Sequence, residues 1–191
     1  MSRWEPNARG RIEEAALELY GERGFEQTTV AEIAKRAGLT ERTFFRHYAD
    51  KREVLFAGSR ALEQFIVDAL TRIPDSTAPI DAVGTALEAT ADLFRERRPH
   101  SLRRQAVIAA HPELQERELI KLASLSAALA ETLRRRGVGD PAASLTAEAG
   151  TAVFKVAFER WIGGSGHQDL SELIRDSLAE LKAVTAGARP D

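Results

Sequence analysis

The seven prolines of this chain divide its 191 residues into segments with helical periodicity. All of them fall between or at the ends of such segments, at positions 6, 74, 79, 99, 112, 141 and 190. Proline breaks a helix interior but suits its first turn, so these positions indicate where helices begin and end. Period-two alternation with β-branched residues is almost absent. We therefore predict an all-α chain of about nine helices, with a glycine-rich turn at 163–166 before the last one.

The composition excludes several classes of protein. The chain has no cysteine, so it lacks disulfides, thiolate nucleophiles and thiolate metal sites, which fits a reducing compartment. No run approaches 18 apolar residues and the first ten residues are polar, so we expect no membrane span, no signal peptide and a cytoplasmic protein. A formal net charge of −2 gives no sign of a nucleic-acid partner for the chain as a whole.

The most informative stretch runs from Thr29 to Tyr48, where two short helices are joined by a tight turn containing Gly38. This is the sequence form of a helix-turn-helix. Leu39 and Phe44 fill the interface between the two helices, next to the small Ala34. The outer face of the second helix then carries Thr40, Arg42, Thr43, Phe45 and Arg46. Such a helix enters the major groove of DNA with its N-terminal residues at the base edges.

The motifs TTVAEIA at 28–34, AGLT at 37–40 and TFFRHYADKRE at 43–53 resemble the tetracycline-repressor (TetR) family signature. The match covers roughly residues 12–55; the rest of the chain is similar to the family in length and helix count. The resemblance implies a bacterial homodimeric repressor with an N-terminal three-helix DNA-binding domain, 1–50. It also implies a helical-bundle domain, 51–191, that binds ligand and forms the dimer. A small, largely apolar inducer would release the dimer from a palindromic operator.

Carried over residue by residue, the resemblance implies DNA contacts from Thr28, Thr29, Thr40, Glu41, Arg42, Thr43, Phe45, Arg46, His47 and Lys51. Phe45 takes a position where the family often has a tyrosine, so an apolar contact to a thymine methyl replaces a phosphate hydrogen bond. His47 and Lys51 are expected at phosphates. Simpler roles stay open: helix capping for Thr40, core packing for His47, and a solvated or arginine-paired side chain for Glu41. Phe44 and Tyr48 are assigned to the core.

Charge is unevenly distributed along the chain. Residues 27–60 carry seven Lys/Arg and four Asp/Glu, a net of +3, which leaves −5 for the remainder. A local surplus concentrated on one face suffices for DNA because phosphate neutralisation is local. A second basic group is Arg95, Arg97, Arg98, Arg103 and Arg104; it is read as a solvated helix end or as an anionic contact.

The helical domain is expected to bind its inducer among aromatic side chains. The candidates are Phe65, Phe94, Phe154, Phe158 and Trp161, with His111 as a polar anchor; core filling, and helix capping for His111, are the alternatives. The penultimate helix carries a second face with Leu145, Ala149, Ala152 and Val156, which predicts a homodimer through the last two helices. Inducer would shift the fourth helix, expected to run from Asp50 to Pro74, and so change the spacing of the recognition helices.

Two other functions are alternatives to the DNA-binding regulator. A helical-bundle enzyme or metal carrier needs carboxylates and histidines at helical spacing, but no Glu-x-x-His occurs and the histidines at 47, 100, 111 and 167 are scattered. We therefore predict no catalytic residue, no metal site, no cofactor and no enzyme activity. A ligand-independent DNA-binding scaffold remains the alternative.

Overall fold

The computed structural model describes residues 7–164 and 168–187, so Ser165, Gly166 and His167 lie outside the described residues, as does the chain after Gly187. Every regular element in these ranges is a helix, which confirms the all-α prediction. The elements are α1 Ala8–Arg23, α2 Val30–Arg36, α3 Glu41–His47, α4 Lys51–Leu55, α5 Ser59–Arg72, α6 Pro79–Glu88, α7 Ala91–Phe94, α8 Arg98–Ala109, α9 Pro112–Arg135, α10 Ala142–Gly163 and α11 Leu170–Thr185.

The structure contains two compact units. The first unit comprises the chain up to Gly58 together with Pro99–Glu118, and the second comprises Ser59–Arg98 together with the chain from Leu119 onward. Helix α9 begins in the first unit and continues in the second. The predicted boundary between a DNA-binding domain, 1–50, and a ligand-binding domain, 51–191, stays a prediction. The first compact unit also includes Pro99–Glu118, which is distant in sequence from its other residues.

The first unit is built around an apolar stripe of α1. Its residues Ile12, Ala15, Ala16 and Leu19 are all buried, and the helix ends at Gly24, whose φ of 85° favours glycine. Phe44 and Tyr48 are 0% and 4% exposed, which confirms their assignment to the core. The same core contains Ile108 and Leu114 from the distant segment.

The predicted continuous helix from Asp50 to Pro74 is wrong, because the chain breaks it into α4 and α5. Asp50 caps α4 as expected, accepting hydrogen bonds from the backbone N–H groups of Arg52 and Glu53. Phe56 ends α4 and is buried in the first core, and Gly58, a poor helix former, follows it. A second break at Thr90 separates α6 from α7; its buried hydroxyl donates to the Leu87 carbonyl. These breaks raise the helix count above nine in the described residues.

In the second unit α6 packs closely against α10 and α11. A Cβ atom on Gly84 would overlap Leu178 Cδ2, and one on Gly150 would overlap Val83 Cγ1. The two glycines therefore set how near these helices approach. Within the described ranges no helix combines the length and the apolar character needed to cross a membrane.

Candidate nucleic-acid interface

The helix-turn-helix forms through local hydrogen bonds that the sequence predicts. Thr29 caps α2 in a capping box: its hydroxyl accepts from the Glu32 backbone, and the Glu32 carboxylate accepts from the Thr29 backbone. Gly38 turns the chain with a φ of 68°. The Thr40 hydroxyl then accepts from the Thr43 N–H at 3.2 Å, which confirms Thr40 as the cap of α3.

The outer face of α3 presents the side chains expected of a recognition helix. Glu41, Arg42 and Arg46 are exposed, Phe45 is 54% exposed, and Phe44 on the opposite face is fully buried. Thr43 is half-buried, and its hydroxyl lies 3.0 Å from that of Thr40. Arg42 and Arg46 form no ion pair or hydrogen bond through their guanidinium groups with any residue that the structure describes. Their charges are therefore available to an external anion.

Thr28 and Thr29 have roles inside the domain. The Thr28 side chain is 1% exposed, and its hydroxyl lies 2.8 Å from the Gly24 carbonyl and 3.3 Å from the Leu19 carbonyl. The hydroxyl therefore faces the protein, and the DNA contact of Thr28 stays a prediction that competes with this internal role. The Thr29 hydroxyl is exposed, but it donates to the Glu32 carboxylate at 2.9 Å within the capping box.

The structure gives Lys51 an internal role that the resemblance did not imply. Its Nζ donates to the carbonyls of Phe25 at 2.7 Å, Thr28 at 2.9 Å and Glu26 at 3.1 Å, and lies 4.5 Å from the centre of the Phe25 ring. An ammonium has three donors, so these bonds use all of them. The Lys51 carbonyl in turn accepts from the Tyr20 hydroxyl at 2.6 Å, and burial raises the pKa of Tyr20. The phosphate contact of Lys51 stays a prediction that now competes with this arrangement.

His47 is half-buried at the end of α3. Its Nε2 is buried and has no hydrogen-bond partner within the described part of the chain. An outward contact from this side chain must therefore use Nδ1. The predicted phosphate contact of His47 remains a prediction for that atom.

Two arginines on the neighbouring helices α1 and α2, Arg23 and Arg36, are paired within the protein. Arg36 contacts the carboxylates of Glu18 and Glu22 at 3.0 and 2.8 Å, and its hydrogen bond is the main reason why the pKa of Glu22 lies below its usual range. Arg23 pairs with Glu32 at 2.6 Å. Phosphate contacts from these two arginines would break existing ion pairs.

The second basic group, at 95–104, divides into exposed arginines, Arg95, Arg97 and Arg103, and the half-buried Arg98 and Arg104. Arg103 pairs with Glu14 at 2.9 Å, and Arg104 donates to the Leu55 carbonyl at 2.6 Å and pairs with Glu118 at 3.0 Å. Burial lowers the pKa of Arg104. Arg98 donates to carbonyls at the end of α10, including that of Trp161 at 3.1 Å. Arg98 therefore caps a helix and Arg104 is a half-buried structural residue, roles that the sequence pattern did not reveal, whereas Arg103 forms an exposed ion pair.

The predicted ligand residues divide into one ring cluster and two separate positions. Phe94 and Phe158 have ring centres 5.3 Å apart, Trp161 lies 5.9 and 5.6 Å from them, and Phe154 stacks on Phe158 at 5.9 Å. Phe65 is half-buried on α5, outside this cluster. His111 lies in the first unit, where its ring contacts Phe25 at 5.1 Å. The structure thus brings four of the six together.

A helix-turn-helix together with a larger helical unit is typical of a DNA-binding transcriptional regulator. The family model "Bacterial regulatory proteins, tetR family" matches residues 12–57, and the model "MftR C-terminal domain" matches residues 77–186. The second match alone covers more than half of the chain. The chain belongs to the TetR family of transcriptional regulators, which confirms the resemblance drawn from its motifs.

Individual relatives agree with this assignment over different lengths. The chain is 27% identical over 180 residues to the putative mycofactocin biosynthesis transcriptional regulator MftR of Mycobacterium tuberculosis, covering 92% of this chain and 88% of that protein. It is 35% identical over 88 residues to the regulator TcmR of Streptomyces glaucescens, covering 46% of this chain and only 39% of that protein.

Solved structures share the whole fold. Thermus thermophilus FadR, solved in complex with lauroyl-CoA, is 25% identical with a TM-score of 0.53, and the match covers 91% of this chain and 93% of FadR. A putative transcriptional regulator from Pseudomonas aeruginosa PAO1 has a TM-score of 0.68 at 18% identity, covering 97% and 94% of the two chains. At that identity the second likeness shows the fold alone.

Proposed function

We propose that this regulator is a ligand-responsive repressor that binds a palindromic operator as a homodimer and leaves it when a small, largely apolar molecule binds. The observation that carries the DNA-binding part is the outer face of α3, where Arg42 and Arg46 flank the exposed Phe45 and lack partners in the described residues. An apolar ring between two unpaired cations suits a thymine methyl next to phosphates or guanine edges. The proposed activity is binding, without catalysis.

Selection of bound DNA from a random pool tests this part directly, because enrichment of a palindrome is expected. Arg42→Ala should then relax base preference at one position at a cost of about 1–3 kcal/mol of binding free energy. Arg72→Ala, an exposed arginine at the end of α5, is the matched control and should bind like the parent. Uniform loss of affinity across all sequences in Arg42→Ala would refute base readout by this residue.

The homodimer is proposed to form through α10 and α11. The predicted second face of α10 is open in the single chain: Leu145 is 66% exposed, Val156 is 47% exposed, and Ala152 is exposed between them. A small-residue apolar face of this kind suits close packing against a symmetry mate. Dimerisation would place two recognition helices about 34–36 Å apart, one turn of DNA.

Sedimentation of a matched pair of variants tests the interface. Leu145→Arg should produce monomers and abolish palindrome binding, because it buries an unpaired charge at the most exposed apolar side chain of this face. Leu119→Arg, at a leucine on α9 that is 58% exposed, should leave the dimer intact. The reverse result would move the interface to α9.

The ligand is proposed to bind at the ring cluster of Phe94, Phe154, Phe158 and Trp161. Phe94 and Phe158 are only half-buried, so one edge of the cluster is accessible, whereas Trp161 is 5% exposed. Because Thermus thermophilus FadR was solved in complex with lauroyl-CoA, compounds that carry an apolar fatty acyl chain are the first to test. Phe158→Ala should weaken release from the operator by an active compound while leaving DNA affinity without ligand unchanged. A metabolite library that never lowers DNA affinity would favour the ligand-independent scaffold.

Coupling between ligand and DNA is proposed to pass through α9 as well as α4. The first turns of α9 are held to α4 by the ion pair of Arg117 with Glu53, and α8 is held by the bond from Arg104 to the Leu55 carbonyl. The remainder of α9 belongs to the second unit. Arg117→Gln should therefore reduce the ligand-induced change in DNA affinity, which is 5–150-fold for a coupling of about 1–3 kcal/mol. Unchanged coupling would remove α9 from the mechanism.

A further inference from the structure

Three side chains with metal-ligating atoms meet in the first unit, apart from the α3 face and the ring cluster. Glu26 comes from the loop between α1 and α2, and His111 and Glu113 come from the junction between α8 and α9. Their ligand atoms all lie within 4.8 Å of one another. His111 Nδ1 is 3.9 Å from a Glu26 carboxylate oxygen, and the imidazole ring rests against Phe25. The three groups therefore point at a common volume.

Both segments that carry these groups are fixed by other contacts. The carbonyls of Phe25 and Glu26 accept hydrogen bonds from Lys51, which holds the loop. Leu114, next to Glu113, is fully buried in the core of the same unit. The positions of the ligating residues are therefore set by the fold.

The charge of the cluster favours a cation. Two carboxyl groups, those of Glu26 and Glu113, have oxygens within 4.8 Å of each other and of the His111 ring nitrogen. Two ionised carboxylates at this separation repel each other. A divalent ion between the carboxylates would offset their repulsion.

We infer that Glu26, His111 and Glu113 form a binding site for a first-row divalent transition metal such as Zn²⁺. One imidazole nitrogen and two carboxylate oxygens are a ligand set for Zn²⁺, with water as a fourth ligand. Metal–ligand bonds of about 2.0–2.2 Å require donor atoms about 3.5 Å apart, so the ligands must close by about 1 Å. The Glu26 side chain is 63% exposed and free to make this movement. The bound ion would link the α1–α2 loop to the start of α9.

This site departs from the sequence-based prediction of no metal site. That prediction was based on the absence of histidine and glutamate at helical spacing. In this site, however, Glu26 is 85 residues from His111 and 87 residues from Glu113 along the chain. It also gives His111 a different role from the predicted polar anchor of the inducer.

Metal titration of the full-length protein tests the inference. The protein is first stripped with a chelator, and Zn²⁺ binding is then measured by calorimetry and by competition with a chelating indicator. We expect one Zn²⁺ per chain. Glu26→Gln, His111→Asn and Glu113→Gln should each weaken this binding by more than the roughly 10–100-fold that loss of an outer-shell partner costs. Glu116→Gln, an exposed glutamate on the same helix, is the matched control and should bind like the parent.

Circular dichroism distinguishes loss of ligands from loss of folding, and Glu26→Gln is the decisive variant because the Glu26 side chain is 63% exposed. If Glu26→Gln folds and binds Zn²⁺ as tightly as the parent, the site is refuted. Absence of Zn²⁺ binding by the parent protein, at concentrations up to the millimolar range, would refute it as well.

Discussion

Replacement of Lys51 by methionine separates the two roles that this lysine has been given. Lys51→Met keeps the aliphatic stem of the side chain and removes the ammonium that binds the carbonyls of Phe25, Glu26 and Thr28. These carbonyls belong to the α1–α2 loop that precedes the helix-turn-helix. If the ammonium organises this loop, its removal lowers the stability of the first unit.

The expected loss follows from the geometry around Nζ. Two of the three bonds, to Phe25 at 2.7 Å and to Thr28 at 2.9 Å, are partly buried, and the third is exposed, so water replaces it. Hydrogen bonds to charged groups contribute about 1.5–3 kcal/mol each, and an exposed cation–π contact contributes about 0.5–1 kcal/mol. Allowing for partial access of water, we expect a decrease of about 2–4 kcal/mol in the free energy of unfolding.

Two measurements check this prediction. Urea denaturation followed by circular dichroism gives the global change, and hydrogen exchange of the Thr28 amide, which donates to the Phe25 carbonyl at 3.3 Å, reports on the loop itself. Lys35→Met is the control, because Lys35 is exposed and its ammonium has no partner in the described ranges; its effect should stay within about 0.5 kcal/mol.

Binding to DNA provides the refuting outcome. A phosphate contact by Lys51 would appear as a decrease of about 1 in the slope of log affinity against log salt, with stability unchanged. The internal role predicts an unchanged slope for folded Lys51→Met protein. Unchanged stability together with a lower slope would refute the reasoning from the structure and restore the role implied by the family.

Three further substitutions test the packing and electrostatics. In Gly150→Ala the added Cβ overlaps Val83, and overpacking of this kind costs about 1–3 kcal/mol of stability. Calorimetry should therefore show a lower melting temperature. Gly163→Ala is the control, because a Cβ at that position meets open space and should leave the melting temperature unchanged. Thr28→Val should cost about 1–2 kcal/mol of unfolding free energy in urea, and loss of DNA affinity without loss of stability would contradict its internal role. Burial raises the pKa of Glu88, so its folded form binds a proton more readily than its unfolded form and stability falls as pH rises through the carboxyl range. Glu88→Gln should therefore be more stable than the parent at pH 7 and show no such gain at pH 3, which thermal melts at both pH values check.

The features that could be predicted from the sequence are those encoded by neighbouring residues. The capping residues Thr29, Thr40 and Asp50, and the turn at Gly38, depend on hydrogen bonds and backbone angles within a few positions. The outward face of α3 follows from helical geometry once Phe44 is assigned to the core. These local rules sufficed for the all-α fold and for the helix-turn-helix.

The features that could not be predicted depend on contacts between distant residues. Nothing in the sequence around Pro99–Glu118 indicates that this segment joins the first unit, since its burial there is a property of the tertiary fold. The same holds for Lys51 and His111, which were predicted to bind DNA and inducer. Lys51 contacts carbonyls that are 23 to 26 positions away in the sequence. The His111 ring contacts the ring of Phe25, which is 86 positions away. A polar residue in a motif can therefore be assigned a DNA or ligand contact only after its contacts within the protein are known.

Part of the basic surplus at 27–60 is already neutralised inside the domain. Of its cations, Arg36 is paired with two glutamates and Lys51 is bound by three carbonyls, so their charges are already offset within the domain. On α2 and α3, Arg42, Arg46 and Lys35 remain, all exposed and without side-chain partners in the described part of the chain. Because only unpaired cations release counterions when they meet phosphates, these three, rather than the net charge of the segment, determine how strongly each protomer's α2–α3 surface is attracted to DNA.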